Sequence, residues 1–238
     1  MTTMFMQTFV SVDCVVFGFD GNQLNVLLVQ RNTPGPLGKT LKLPGSLIYQ
    51  QEDADSAAGR VLKELTGIHK MSLKQFKCFT SPERTSNKED VLWLEIAYHN
   101  KVDRLITIVY LSLCKINKKL NITSEYNTVE WCSLSKLPNL PFDHNIIVNE
   151  ALKEIRDWVE KEPSILFELL PVKFTAVELL RLYEAIYNRK YDVRNFHKKM
   201  GGMEYVHPLE EKQINVAHRA ARYYKFDRKR YKRRKVKK

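Results

Sequence analysis

Two apolar, β-branched runs at residues 12–19 and 25–31 flank Asp20-Gly21-Asn22-Gln23, and Asp-Gly is a strong turn signal, so a hairpin is predicted. Residues 32–45 are rich in Pro and Gly and have no period, so they read as loop. Between 53 and 65 the apolar positions Ala54, Ala57, Ala58, Val61, Leu62 and Leu65 recur at helical spacing, and Gly67 follows as a stop. Residues 74–79, 104–114 and 129–133 read as strands, whereas 89–100 fits helix and strand equally. The stretch 145–160 is a long amphipathic helix with apolar positions at 146, 147, 151, 155 and 158. This irregular alternation predicts a mixed α+β sandwich rather than a doubly wound sheet.

Pro163 and Pro171 bracket the expected domain boundary, with a first domain at 1–168 and a second at 169–227. Thr175-Ala-Val-Glu178 is a capping box opening a helix to about residue 187. A short turn at 188–191 leads to Asp192, the expected N-cap of a second helix at 193–200 that Gly201-Gly202 ends. Strand-like pieces follow at 203–206 and 221–226.

Charge sharpens the division. Residues 189–238 hold 18 Lys and Arg against 5 acidic residues, while 1–188 hold 21 against 22, so the net +12 of the chain arises entirely in its last fifth. That asymmetry fits a polyanion-binding module joined to a neutral domain. The tail from 228 to 238 is expected to be disordered and to bind phosphate. The four cysteines show no C-x-x-C spacing, so a reducing compartment without zinc or disulfides is expected; Cys14, Cys78 and Cys114 sit in apolar runs and read as small core residues. The first ten residues lack a signal-peptide pattern and no stretch reaches membrane-spanning length, so a cytoplasmic protein without membrane contact is expected.

The stretch 45–68, GSLIYQQEDADSAAGRVLKELTGI, is a loop, a helix and a loop with acidic residues placed around the helix. Taken from Ser46, it resembles a Nudix box, G-x5-E-x7-R-E-U-x-E-E-x-G-U with U aliphatic. Glu52, Arg60, Leu62, Glu64, Gly67 and Ile68 match, and Ser46 replaces the opening glycine. In active members three carboxylates at offsets i, i+3 and i+4 gather on one helical face and hold magnesium over a diphosphate. Here those positions are Val61, Glu64 and Leu65. One of three survives, which implies a domain that keeps the fold and has lost the metal; no metal and no cofactor is expected.

Arg194, Asn195, His197, Lys198 and Lys199 crowd the second C-terminal helix, which reads as the recognition helix of a helix-turn-helix. Arg and Asn suit bidentate contacts with guanine and adenine, and Lys suits phosphate. Arg219, Arg222 and Lys225 read as a basic wing. The combination resembles the Nudix-related transcriptional regulators, of NrtR type and of the AraR type of Bacteroidetes. It is carried by Phe174, Glu178, Leu179, Leu182-Tyr183-Glu184, Arg194-Asn195-Phe196, Phe142-Asp143-His144 and Arg104. The resemblance implies a Nudix α/β/α sandwich followed by a winged helix-turn-helix. It also implies a homodimer on a pseudo-palindromic double-stranded DNA operator, and a small-molecule effector, a pentose sugar or an ADP-ribose-like compound, in the former substrate cleft. Arg31 and Arg84 border that cleft and are candidates for binding the effector. Asp143 and His144 either anchor the start of the helix at 145–160 or reach the effector. The competing expectation is a magnesium-dependent hydrolase of ADP-ribose-like nucleoside diphosphate derivatives, resting on Glu52, Arg60 and Glu64; an RNA-binding accessory protein is a third.

Overall fold

The computed structural model describes residues 7–31, 40–69, 71–116, 128–214 and 220–236, the side chains of 234–236 apart. The described chain divides into two compact units. The first comprises 1–17, 26–112 and 118–152, and the second 18–25, 113–117 and 153–238.

The first unit is built on a seven-stranded sheet. Strands β1 (Thr8–Phe19) and β2 (Leu24–Arg31) form the expected hairpin and run longer than the apolar pattern alone. Every residue of β1 from Ser11 onward is buried, and Val12, Cys14, Val15, Val16 and Phe17 are completely so. A strand covered on both faces reads as a continuous apolar run, which is why this one lacks alternation. The order is β3-β2-β1-β6-β5, with β4 pairing β1 and β7 pairing β2. Here β3 is Thr40–Lys42, β4 Gly45–Leu47, β5 Lys74–Phe79, β6 Arg104–Lys115 and β7 Val129–Ser133. Sequence reasoning assigned β3 to loop. Three residues carry no period, and pairing with β2 through Val29 and Lys42 makes the strand.

Helix α1 (Ala54–Thr66) starts on Asp53, whose carboxylate accepts from Ser56 N, and ends on Gly67 at φ 72°. Its buried face is Ala57, Ala58, Val61, Leu62 and Thr66. The ambiguous stretch is helix α2 (Lys88–Tyr98), capped by Asn87. Helix α3 (His144–Lys161) matches the expected amphipathic helix, belonging to the first unit through Leu152. Cys14 is buried as expected, but Cys78 is exposed: in β5 only Phe79 is buried, so the strand's other residues meet solvent.

The second unit holds a three-stranded sheet, β8-β10-β9, with β8 Lys173–Thr175, β9 Val206–Lys212 and β10 Arg222–Phe226. The strand expected at 203–206 therefore begins only at Val206. Helix α4 (Ala176–Tyr187) has the full capping box: Thr175 Oγ1 accepts from Glu178 N, and the Glu178 carboxylate accepts from Thr175 N. Helix α5 (Val193–Gly201) starts on Asp192, which accepts from Asn195 N at 2.8 Å. Phe167 stacks on Phe226 with ring centroids 4.2 Å apart, and Phe174 and Tyr205 complete that aromatic core. The expected disordered tail is corrected: residues Arg228–Val236 form helix α6, which Asp227 caps and Tyr231 pins to Tyr205.

Candidate effector cleft and nucleic-acid interface

The Nudix-like frame closes around Arg60. Its Nε lies 2.9 Å from Glu52 Oε2, its Nη2 donates to Leu47 O at 2.9 Å, and its guanidinium sits 3.8 Å over the Tyr49 ring. Glu52 also accepts from Tyr49 N at 2.8 Å. The hydrogen bonds from Arg60 hold the Glu52 carboxyl below its ordinary range. One pair thus ties the loop before α1 to the helix itself, which accounts for both residues being kept.

The face that would carry metal ligands is differently made. Val61 is fully buried in the core, and Leu65 is half-buried. Glu64 is exposed and accepts from Arg60 Nη1 at 3.1 Å. Magnesium needs several oxygens in close octahedral geometry, and this face offers one already engaged carboxylate, so the residues do not fit such a cluster. Among the described residues no group of three or more His, Cys, Asp and Glu could hold a metal ion.

Beside this face lies a cleft floored by buried charge. Asp13, on the central strand β1, accepts from Thr107 Oγ1 at 2.7 Å and faces Arg84 Nη2 at 3.6 Å and His144 Nε2 at 3.7 Å. Arg84 Nη1 also pairs closely with Asp143. His144 Nδ1 accepts from Leu43 N at 3.2 Å, so the neutral ring carries its proton on Nε2, toward Asp13. Burial lowers the His144 pKa to about 4, which keeps it neutral. Burial outweighs Arg84 and raises the pKa of Asp143.

Arg31 Nη1 lies 2.6 Å from Asp90 Oδ1, with both side chains almost wholly buried. The guanidinium stands 4.5 Å over Trp93, and Asp90 also accepts from Phe142 N at 2.8 Å. The Nε atoms of Arg31 and Arg84 are buried without a hydrogen-bond partner. Both residues line an open recess of about 240 Å³, together with Glu83, Ser86, Asn87, Glu89, Asp90 and the 139–142 segment. A smaller adjoining recess of about 20 Å³ is lined by Lys42, Ser46, Trp93, Tyr98, Phe142 and His144 among others.

Of the four expected cleft residues, Arg31 and Arg84 line the larger recess and His144 the smaller one, while Asp143 lines neither and is held by its pairing with Arg84. His144 is also the first residue of α3, which it ties to Leu43.

Sequence reasoning missed Asp13, Lys42, Asp90, Trp93 and Tyr98. Lys42 donates to Gly45 O at 2.7 Å, and burial lowers its pKa to about 8. A lysine inside the apolar string LKLPG was the available signal. Gly45 is required by this packing, since a Cβ there would lie 1.8 Å from Asp13 Oδ1.

In the second unit, Phe196 and Met200 bury one side of α5 against α4. At 100° per residue the opposite side carries Arg194 and Lys198, with Asn195 and His197 flanking them, and all four are exposed. Lys199 is placed otherwise. Its Nζ stands 4.4 Å from the centre of the Tyr183 ring at the seam with α4, where burial and Arg189 lower its pKa. The turn between the helices is fixed by Asn188 in the left-handed region (φ 48°) and by Glu184, which accepts from Tyr191 N and pairs with Lys190.

Arg222 and Lys225 are exposed on β10, and Arg222 is registered directly against Lys212. Like charges opposed across strands repel and favour an anionic neighbour. Arg219 lies outside the described residues.

Residues 7–154 match the model of the NUDIX domain, and residues 166–226 match that of the NrtR DNA-binding winged helix domain. The chain is 24% identical over 220 residues to the "ADPR responsive transcriptional repressor NtrR" of Acinetobacter baylyi (strain ATCC 33305 / BD413 / ADP1), covering 91% of this chain and 81% of that protein. The crystal structure of Shewanella oneidensis NrtR complexed with a 27mer DNA matches with a TM-score of 0.65 at 21% identity, over 92% of this chain and 93% of the other. A MutT/nudix family protein from Enterococcus faecalis matches at 0.62 and 22% identity, over 94% and 90%. The two structural likenesses show the fold alone. With the frame around Arg60, an exposed basic helix and the match over residues 7–154 in place, this chain belongs to the NUDIX-domain family, and its residues 166–226 match the NrtR DNA-binding winged helix domain.

Proposed function

We propose that the chain is a ligand-responsive transcriptional regulator whose Nudix domain binds a sugar or ADP-ribose-like effector without cleaving it. The observation that carries this reading is the fate of the three metal positions: Val61 is in the core, Leu65 is apolar, and Glu64 is bound to Arg60. A diphosphate placed over this face would meet no metal cluster, whereas the neighbouring cleft keeps a polar, partly aromatic wall. The Acinetobacter relative, named as ADPR responsive, supports an ADP-ribose-like effector. The charge of the larger recess supports the uncharged, hydroxyl-rich choice: among its described lining residues Arg31 and Arg84 are set against Glu83, Glu89 and Asp90, which leaves little net positive charge for a diphosphate. Binding is assigned to Arg31 and Arg84, with Asp143 and His144 fixing their surroundings.

On the DNA side, Arg194 and Asn195 are assigned to base edges and Lys198, with Arg222 and Lys225 of the wing, to phosphates. The protein acts as a homodimer, since one short recognition helix covers a single half-site and a pseudo-palindrome presents two. Effector and operator are coupled because the effector prefers one dimer geometry over the other. A thermal-shift series with pentoses and with ADP-ribose, each analysed for breakdown in the presence of Mg²⁺, tests the sensor. Stabilisation by a ligand recovered intact is the expected result, and turnover of ADP-ribose would instead favour the hydrolase.

A further inference from the structure

Helix α6 lies beyond residue 226, where the match to the winged-helix model ends. Seven of its nine residues are Lys or Arg and none is acidic. Such a segment is a poor helix by itself, because Arg228 and Lys232, and Lys229 and Arg233, are like charges one turn apart. Its order comes from its attachment. Asp227 accepts from Arg230 N and Tyr231 N, donates its own N–H to Tyr205 O at 2.8 Å, and faces His207 at 3.6 Å. The Tyr231 ring meets Tyr205 edge-on at 4.9 Å and lies 5.8 Å from Phe226.

With Tyr231 turned to the domain, the helical period puts Lys229 and Arg233 on the opposite side, with Lys232 beside them. All three are exposed. A basic helix could instead lie on a membrane, but that mode needs an apolar face, and the aromatic side chain α6 offers is already packed against the domain.

We propose that α6 is a second DNA contact, a phosphate-tracking helix held on the base of the wing and independent of sequence. At nine residues it spans about 13 Å, room for roughly three or four phosphates of one strand. This rests on the DNA-binding reading given above.

The test compares the full chain with a Lys229→Gln/Lys232→Gln/Arg233→Gln variant. Binding is measured by anisotropy across a salt series, on a duplex from the protein's own upstream region and on a scrambled duplex of equal length. The variant is expected to show a salt slope shallower by about 2 to 3 on both duplexes, at about 0.9 per phosphate lost. The affinity ratio between duplexes and the thermal midpoint are expected to stay unchanged. A folded variant with the wild-type slope would overturn the proposal, and more so if it lost binding to phosphatidylserine vesicles instead. A changed ratio would overturn it as well, by assigning α6 to base reading. If the wild type binds neither duplex, the DNA-binding reading itself fails, an outcome distinct from the others.

Discussion

Arg60 Nη1 and Glu64 Oε2 stand 3.1 Å apart, one turn from each other on α1, so the last carboxylate of the metal set is engaged by the arginine that holds the motif's loop. Glu64 is about half exposed, and an exposed pair of this kind contributes about 0.3–0.5 kcal/mol. Glu64→Gln is therefore expected to change the unfolding free energy by less than about 0.5 kcal/mol and to leave effector affinity intact. Denaturant titration and calorimetry of the variant check both, and a large loss of ligand binding would return Glu64 to a working site.

Arg31 and Asp90 behave differently, because both side chains are almost wholly buried where they pair. Arg31→Met leaves the Asp90 charge buried with Phe142 N as its remaining partner among the described residues, and breaking such a pair costs about 3–5 kcal/mol. Asp90→Asn in the same background is expected to recover part of that loss. Urea unfolding of the two single variants and the double variant gives the coupling directly.

Gly45→Ala is expected to destabilise the first unit by about 1–3 kcal/mol, since its Cβ would overlap the Asp13 carboxylate. Gly21→Ala meets no atom within 4 Å, but its φ of 96° makes that change a backbone penalty instead. Comparing thermal midpoints separates packing from backbone strain.

Stability should fall in acid through His144. Its folded pKa, about 4, lies below the ordinary 6.5, so the unfolded chain binds the extra proton first. The contribution is complete above pH 6.5 and is lost as pH falls toward the folded value, by up to about 3 kcal/mol at 1.36 kcal/mol per unit. The difference in unfolding free energy between wild type and His144→Gln is expected to depend on pH across this window and to be flat above it.

Within α5, Arg194→Ala is expected to reduce operator binding more than binding to a scrambled duplex, whereas Lys198→Ala should weaken both alike and reduce the salt slope by about 0.9. Lys199→Ala is expected to act mainly on stability, because its amine covers Tyr183. Equal losses on both duplexes for Arg194→Ala would make it a phosphate contact.

Much of the fold was legible because its signals are local. Asp20-Gly21 marks the β1–β2 turn, Thr175 and Glu178 mark the start of α4, and Asp192 marks α5. Helix α2 was ambiguous because Val91, Leu92, Trp93, Leu94 and Ile96 spread apolar character all round it. Strands β3 and β8 escaped because three residues show no period and exist only through pairing. The order in α6 comes from Tyr231 meeting Tyr205, which composition does not reveal. In the cleft, Arg31 and Arg84 could be picked out as cations near loops that border a Nudix-type cleft. Their partners Asp90 and Asp143 each lie 59 positions away in sequence, and only the folded chain brings them together.

Sensing without cleavage is tested most directly by titrating the full chain, bound to duplex from its own upstream region, with pentoses and with ADP-ribose in the presence of Mg²⁺, and then recovering the ligand. One ligand is expected to shift DNA affinity and, by linkage, thermal stability, and to be recovered intact. Magnesium-dependent breakdown of ADP-ribose that Glu64→Gln abolishes, with DNA affinity unmoved by any ligand, would contradict it.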